Sequence, residues 1–307
     1  MVTMNSRRNQ YIDIAKGLTI GLMVLGHTSL PDSVARFIWA FHMPLFFIAS
    51  GWTTSWNRYS VKEFIKRRIK SLMIPFCVYS IVVLTIKEIV IGGGDLVSWF
   101  CQGWGGFALW FIPVLFFAVL IGRIVYVVNN LILRYLLMLA LIALGAILSY
   151  GKISLPWAIS TVPYATFLVL LGSELRKLSK YIDYPRWWML LSGFIFTVII
   201  SHFWRLDMAW NKITPVIPIT IGAVSGTLMI FTLSSYIAKY TKLCSKVLQA
   251  VGRETYIVVA YSQITIIMLN KYFTLNVVVK YVILLVVLII LKYVKDGVNK
   301  LAKTKIL

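Results

Sequence analysis

The chain has 307 residues, of which 60% are hydrophobic, and its mean hydropathy is +0.84. A soluble domain is about 45–50% apolar, so this composition excludes an ordinary soluble enzyme and indicates an integral membrane protein. The formal net charge of +21 does not point to nucleic acid, because the basic residues are scattered through short segments between apolar stretches. That distribution is typical of membrane proteins in contact with anionic lipid.

Apolar stretches of about 17–25 residues, the length that crosses a bilayer as a helix, recur along the whole chain. They predict an all-α integral membrane protein with about ten transmembrane helices, near 11–30, 34–53, 70–91, 108–128, 131–149, 159–175, 187–204, 213–236, 254–270 and 274–294. The first stretch has no small-residue cleavage site after it, which predicts a retained span rather than a signal peptide. Residues 1–307 are therefore predicted to form a single domain with a basic tail at 292–307.

The basic residues predict the orientation of these spans. Of the 31 Lys and Arg residues, most fall in the N-terminus, the C-terminal tail and alternate loops. Six fall in the remaining loops: Arg36, Lys152, Arg205, Lys212, Lys271 and Lys280. Because cytoplasmic loops carry the excess of Lys and Arg, both termini are predicted to be cytoplasmic.

The first two predicted spans carry ionisable residues at membrane depth, namely Asp13, Lys16, His27 and His42. Such residues are costly, about 2.5–3.5 kcal/mol on insertion scales, and so indicate function. Lys16 and His27 share one helix face but lie roughly 16 Å apart along the helix axis. Because Asp13 lies three residues before Lys16, it is predicted to pair with Lys16 and not to reach His27. The two imidazoles are predicted to face a common cavity and suit general base catalysis.

Two further segments are candidates for binding. The loop from 54 to 70 has six basic residues, which suit either lipid anchoring or a clamp for a phosphorylated substrate. The segment from 92 to 113 is rich in Gly and Trp, and Trp104 and Trp110 suit either an interfacial belt or the floor of a groove for an extracytoplasmic ligand. Gly17 and Gly21 form a GxxxG pattern, which predicts close packing of the first span against a neighbouring helix.

The residues leave other functional classes open. A proton-coupled transporter would use Asp13, Lys16 and His27 as a relay, but it predicts paired broken helices and repeat symmetry, which the sequence does not display. The function of a lipid-linked glycan flippase or polymerase component would not explain the presence of two histidines together with a basic loop. No spacing of Cys and His supports a metal site.

Six motifs, in one order along the chain, resemble the membrane-bound acyltransferase-3 superfamily, and most closely its branch of fucose 4-O-acetylase-like sugar O-acetyltransferases. They are YIDIAKGLTIGLMVLGH at 11–27, FHMPLFFIASG at 41–51, FIKRRIKSLMIPF at 64–76, LWFIPVLF at 109–116, LPWAISTVPYATFLVLLG at 155–172 and LQAVGRETYIVVAYS at 248–262. The resemblance implies acetyl transfer from cytoplasmic acetyl-CoA to a hydroxyl of a bacterial envelope glycan, such as O-antigen, capsule or exopolysaccharide. Acetyl-CoA is then a co-substrate, with no permanently bound cofactor.

The resemblance also implies roles for individual residues. His27 is the essential histidine, His42 is the FHMP histidine, and Asp13 occupies the acidic catalytic position. Lys16 takes the basic position before the first histidine, and Arg68 takes that of the third motif, with Arg67 and Lys70 as neighbours in binding the cofactor. The acceptor is expected to be a lipid-linked or polymeric glycan, and the location a bacterial cytoplasmic membrane.

The chain departs from the family pattern in two places. Ser71 stands where many relatives have a second basic residue after the position of Arg68. Ser262 and Gln263 stand where the late motif often ends in histidine.

Overall fold

The computed structural model describes residues 4–28, 30–92, 94–101, 107–183 and 186–304. Its α-helices are α1 Met4–Gly26, α2 Asp32–Thr53, α3 Val61–Arg68, α4 Ile74–Ile91, α5 Leu96–Cys101, α6 Phe111–Tyr126, α7 Leu131–Tyr150, α8 Val162–Leu175, α9 Ser179–Asp183, α10 Trp187–Phe203, α11 Val216–Tyr240, α12 Lys242–Arg253, α13 Thr255–Tyr272 and α14 Val277–Thr304. Short 3₁₀ turns at Phe107–Trp110, Pro156–Thr161 and Arg176–Leu178 join some of them. A π-helical turn, Ile69–Met73, joins α3 to α4.

The prediction of a helical membrane protein is confirmed in its coarse form. In the described part of the chain, six helical segments are long and apolar enough to cross a bilayer: Asp32–Thr53, Val61–Ile91, Phe107–Tyr126, Leu131–Tyr150, Pro156–Leu178 and Val216–Tyr240. A helix also lies at each of the other four predicted stretches. Large apolar side chains such as Ile132, Leu139 and Phe196 are exposed on the outside of the bundle, as contact with lipid requires.

The centre of the bundle is α2. It packs against α1, α8, α10 and α11, and Phe41, Leu45, Phe47 and Ile48 in this helix are completely buried. An apolar helix that is buried all round belongs in the interior of a bundle. This central position explains how a side chain of α2 can reach a cavity enclosed by several other helices.

Glycines set the closest helix crossings around α2. A Cβ atom added to Gly51 would lie 1.7 Å from the carbonyl oxygen of Val169 in α8, and one added to Gly172 would lie 2.0 Å from that of Ile48 in α2. Neither position has room for any side chain. Small residues therefore bring α2 and α8 into direct backbone contact, as is common between membrane helices.

Helix α12 was not among the predicted elements, because its twelve residues are too short and too polar to span a bilayer. It is amphipathic and packs along the first half of α1. A Cβ on Gly17 would lie 2.1 Å from the carbonyl oxygen of Leu248, and one on Gly252 would lie 1.8 Å from that of Asp13. The close packing predicted from the GxxxG pattern is thus confirmed at Gly17, with α12 as the partner.

Candidate active site

The bundle encloses a cavity of about 430 Å³, here called the main cavity. It is of the size of small-ligand sites, roughly 300–1,000 Å³. Its walls come from α1, α2, α6, α13, the π-helical turn and the loop between α10 and α11. The lining is mostly apolar, and its polar or charged members include Lys16, His27, His42, Ser50, Thr53, Arg68, Asp207, Thr255, Tyr256 and Gln263.

His42 is buried and its protonation pattern follows from its contacts. Its Nδ1 lies 3.1 Å from the carbonyl oxygen of Ile38, one turn earlier in α2. Because a carbonyl oxygen can only accept a hydrogen bond, Nδ1 carries the proton of the neutral ring. The lone pair is then on Nε2, which leaves that nitrogen available as a base.

His27 directly follows the last residue of α1 and lines the same cavity. Its ring lies beside that of Trp39, with centroids 6.3 Å apart. Within the described residues no hydrogen bond to the His27 ring is found, in contrast to His42. The structure therefore brings the two histidines to one cavity, and the His42 ring is fixed there by a hydrogen bond to the backbone.

A second cavity, of about 450 Å³, lies beside the segment that joins α2 to α4 and is here called the basic cavity. It is lined by Thr53, Thr54, Ser55, Arg58, Tyr59, Phe64, Arg67, Arg68, Lys70 and Ser71. Arg68 and Thr53 line both cavities. The guanidinium of Arg68 donates a hydrogen bond of 2.9 Å to Thr54 Oγ1, so it is fixed at this junction.

The three predicted cofactor-binding residues of α3 and the π turn differ in their surroundings. Arg67 is exposed and lies over the ring of Tyr59. Its Nε and Nη2 both donate to Glu63 Oε1, at 3.0 and 2.8 Å. Lys70 is exposed on the wall of the basic cavity. Arg68 alone of the three reaches the main cavity.

A buried arginine that was not predicted from the sequence as a site residue supports the segment that lines the basic cavity. Arg123 in α6 donates to the carbonyl oxygens of Trp56 at 2.7 Å and Tyr59 at 2.6 Å. It also lies over the ring of Phe64. Its position inside a predicted apolar span was the available signal, since a charge there needs partners.

Asp13 and Lys16 lie together at the middle of α1 and face each other, as predicted. Their side chains are 3.9 Å apart, and Asp13 also pairs with Arg253 of α12 at 3.2 Å. Lys16 lines the main cavity, whereas Asp13 does not. The structure therefore does not bring Asp13 to the histidines but joins it to a helix that the sequence did not predict.

Of the two tryptophans predicted to bind substrate, the structure describes Trp110. Trp110 is buried and lines the main cavity beside Phe111. Trp104 lies outside the described residues. Among those that are described, no group of three or more His, Cys, Asp or Glu side chains is placed to hold a metal ion.

Several cavity residues were not predicted from the sequence. Tyr256 donates a hydrogen bond of 2.9 Å to the carbonyl oxygen of Leu72 in the π-helical turn, and both residues line the main cavity. Gln263, about two turns after Tyr256 in α13, also lines the main cavity. π-Helical turns occur often at functional sites, but nothing in the sequence of residues 69–73 announces one.

Fold and site together define a multi-pass membrane protein with a cavity that contains two histidines and a neighbouring basic cavity that shares Thr53 and Arg68 with it. The chain belongs to the acyltransferase-3 family: the family model, described as an acyltransferase domain, matches residues 9–295. The protein is therefore a membrane acyltransferase. No curated protein and no solved structure gave a significant match.

Proposed function

We propose that the protein transfers an acetyl group from cytoplasmic acetyl-CoA to a sugar hydroxyl of a bacterial envelope glycan, as a fucose 4-O-acetylase-like enzyme of the cytoplasmic membrane. One observation carries the proposal: the basic cavity and the histidine-containing main cavity share Arg68 and Thr53 as wall residues. A substrate with a phosphorylated head and a long thioester arm would suit two adjacent cavities that share part of their wall.

The basic cavity suits the phosphorylated head of acetyl-CoA. Arg58, Arg67, Arg68 and Lys70 line it without an acidic residue among the lining side chains. Arginine forks and lysine ammonium groups are the usual partners of phosphate. Tyr59, which is only partly buried in the same wall, offers aromatic surface for the adenine ring.

The main cavity suits the thioester arm and the reaction. The arm would pass Arg68 and Thr53 and enter a mostly apolar cavity that contains His42 and His27. Lys16, at the middle of α1, lines the same cavity, and its cation would attract the phosphates. Asp13 would act by positioning, because its ion pair with Lys16 fixes the direction of that ammonium group.

The reaction needs a base and a route for one proton. A histidine accepts the proton of the sugar hydroxyl, the hydroxyl oxygen bonds to the carbonyl carbon of the thioester, and the C–S bond breaks. The protonated imidazole then gives its proton to the leaving thiolate. In the other route a nitrogen of His27 bonds to the thioester carbon, the C–S bond breaks, and the thiolate leaves with the proton of the imidazole. The sugar hydroxyl then loses its proton to a histidine and bonds to the acetyl carbon, and the bond between that carbon and His27 breaks. In either route Nε2 of His42 has the free lone pair that proton transfer requires.

The acceptor would be a lipid-linked or polymeric glycan held at the opposite side of the membrane from the nucleotide. Trp110 in the cavity wall is a candidate for contact with the sugar, and Trp104 is proposed for the same role from its place in the sequence. Membrane lipids would surround the exposed apolar faces of α7 and α10.

The experiment compares envelope glycans, by mass spectrometry, from cells that produce the wild-type protein, His27→Ala or neither. We expect the mass of one acetyl group to be gained only with the wild type. His202→Ala is the matched control, since His202 is exposed at the end of α10 and does not line the main cavity. Acetylation that persists in His27→Ala would refute the proposed role of this histidine.

A wild-type protein that acetylates no glycan fraction, and that hydrolyses no acetyl-CoA when purified, would refute the proposed substrates. Transport activity under those conditions would instead support a proton-coupled carrier. The family assignment would stand in either case, because it rests on the match over residues 9–295.

A further inference from the structure

The loop between α10 and α11 is a hairpin, residues 205–213, that forms part of the wall of the main cavity. Asp207 and Lys212 pair through two backbone hydrogen bonds of 2.8 and 3.0 Å. Asn211 has a φ of 51°, a left-handed conformation that asparagine tolerates better than most residues. The turn chemistry is therefore suited to a defined hairpin rather than a variable loop.

Hydrogen bonds and buried side chains attach the hairpin to the helix bundle. Thr161 Oγ1 donates a hydrogen bond of 2.7 Å to the carbonyl oxygen of Met208. Ser149 Oγ accepts a hydrogen bond of 3.0 Å from the N–H of Ile213. Met208 and Ile213 are buried. Because buried contacts and hydrogen bonds fix both arms, the side chains at the tip are presented to the cavity in a set geometry.

Two polar or aromatic groups of the hairpin line the main cavity, Asp207 and Trp210. Asp207 is half-buried, and among the described residues no salt bridge involves it. Its Oδ1 accepts a long hydrogen bond of 3.4 Å from the N–H of Trp210. Burial raises the pKa of the Asp207 carboxyl, and the N–H of Trp210 is the largest opposing influence. Arg205 and Lys212 also lower this pKa through their charges, without a salt bridge to Asp207 in the described part of the chain, and so does the N–H of Ala209.

A carboxylate outside any salt bridge keeps acceptor capacity, since its two oxygens offer about four lone pairs. The indole of Trp210 is 60% exposed although it also lines the cavity. An aromatic face carries negative charge density that attracts the C–H groups of a pyranose ring. A flat ring face beside a carboxylate is the combination that binds a sugar through its C–H face and its hydroxyls.

We propose that the hairpin forms the subsite for the acceptor sugar: Trp210 stacks on the pyranose ring, and Asp207 accepts hydrogen bonds from its hydroxyls. Asp207 and Trp210 thereby determine which hydroxyl is presented to the histidines. This inference rests on the proposed function, because it supplies the acceptor side of the same cavity. It makes the two residues determinants of sugar specificity rather than of acetyl-CoA binding.

The test uses the full-length protein in lipid nanodiscs and the repeating-unit oligosaccharide released from the envelope glycan of its host. Asp207→Asn keeps an oxygen for the turn contact with Trp210 but removes the charge. Trp210→Ala removes the ring, and Trp210→Phe restores an aromatic face. Lys212→Gln is the control, because Lys212 is exposed on the same hairpin and does not line the cavity.

We expect Asp207→Asn and Trp210→Ala each to raise KM for the oligosaccharide by about tenfold or more, the size expected for loss of a charge-assisted or stacking contact. KM for acetyl-CoA should stay unchanged. Trp210→Phe should recover most of the acceptor affinity, and Lys212→Gln should match the wild type. Unchanged acceptor KM in both Asp207→Asn and Trp210→Ala would overturn the subsite and leave the proposed function intact.

A direct binding measurement separates the subsite from the chemistry. Saturation-transfer NMR should show contact between the wild-type protein and the oligosaccharide, and a weaker effect with Asp207→Asn, in the absence of acetyl-CoA. Equal contact in wild type and variant, or no contact with the wild type, overturns the subsite. Binding that depends on Asp207 in a protein that transfers no acetyl group would uphold the subsite and refute only the acetyl donor.

Discussion

At the scale of single residues, the hydrogen bond between His42 Nδ1 and the Ile38 carbonyl has the clearest chemical consequence. It fixes the tautomer and leaves Nε2 as the only basic nitrogen of a buried ring. His42→Gln keeps a polar side chain of similar length but has no titratable nitrogen. We expect kcat to fall by about 10²–10⁴, the usual contribution of a general base, with little change in KM for acetyl-CoA.

Steady-state kinetics on purified protein would measure the effect of His42→Gln. Thermal unfolding of the same sample is the control, because a buried substitution can also lower stability. Turnover close to the wild-type value in a normally folded variant would mean that His42 only packs the core.

Arg68 and Arg67 are adjacent in sequence but differ in position, which gives a second prediction. Arg68 lies at the junction of the two cavities, whereas Arg67 is exposed and already paired with Glu63. We expect Arg68→Ala to raise KM for acetyl-CoA by about tenfold or more, since a charge-assisted contact is worth about 1.5–3 kcal/mol. Arg67→Ala should have a smaller effect, because exposed ion pairs contribute little.

Equilibrium binding of desulfo-CoA, measured by calorimetry, would check the difference between Arg68 and Arg67 without catalysis. An equal loss of affinity in both variants would show that the whole basic segment binds the phosphates diffusely. No loss in either would return the segment to the alternative role of lipid anchoring.

At the scale of secondary-structure elements, the glycine crossings determine how closely the helices approach. A Cβ on Gly51 would meet the carbonyl oxygen of Val169 at 1.7 Å, so Gly51→Ala forces α2 away from α8. We expect destabilisation of about 1–3 kcal/mol or more, as for overpacking of a tight core. The thermal stability of detergent-solubilised protein would measure it. Gly297→Ala in α14 is the control, because nothing lies within 4 Å of its added Cβ.

An unchanged melting temperature in Gly51→Ala would contradict the close approach of α2 and α8. If Gly297→Ala were equally harmful, the effect would come from the substitution of glycine itself and not from the crossing. In an open helical position alanine should instead be neutral or slightly stabilising.

Helix positions were accessible from the sequence, but helix partners were not. The length and apolarity of stretches such as 34–53 and 213–236 predict a membrane helix without reference to the rest of the chain. The partner of Asp13 could not be predicted, because Arg253 is 240 residues away and lies on an amphipathic helix that no length rule detects. The sequence therefore predicted the pairing of Asp13 with Lys16 but not the link to α12.

The candidate site likewise has some features that the sequence predicts and others that it does not. The predicted convergence of two histidines on neighbouring helices needed only a short turn between α1 and α2. The contributions of Arg123, Tyr256 and Asp207 come from distant segments, and each depends on how the bundle closes. A backbone carbonyl as partner, as for Arg123 and Tyr256, leaves no signal in the sequence, because every residue has one.

At the scale of the whole molecule, the proposed reaction requires that the basic cavity face the cytoplasm, where acetyl-CoA is available. The asymmetry of basic residues predicts this orientation, and two native cysteines offer a test. Cys244 is exposed in α12, on the side predicted to be cytoplasmic. Cys101 is exposed in α5, on the side predicted to be extracytoplasmic.

We expect a membrane-impermeant maleimide to label Cys101 but not Cys244 in spheroplasts that produce single-cysteine variants. Permeabilised spheroplasts should label both, which controls for accessibility within the fold. Labelling of Cys244 in intact spheroplasts, with protection of Cys101, would show that the protein has the opposite orientation in the membrane. The basic cavity would then face away from the acetyl-CoA pool and the 205–213 hairpin would face the cytoplasm, so the direction of transfer proposed here would have to be abandoned.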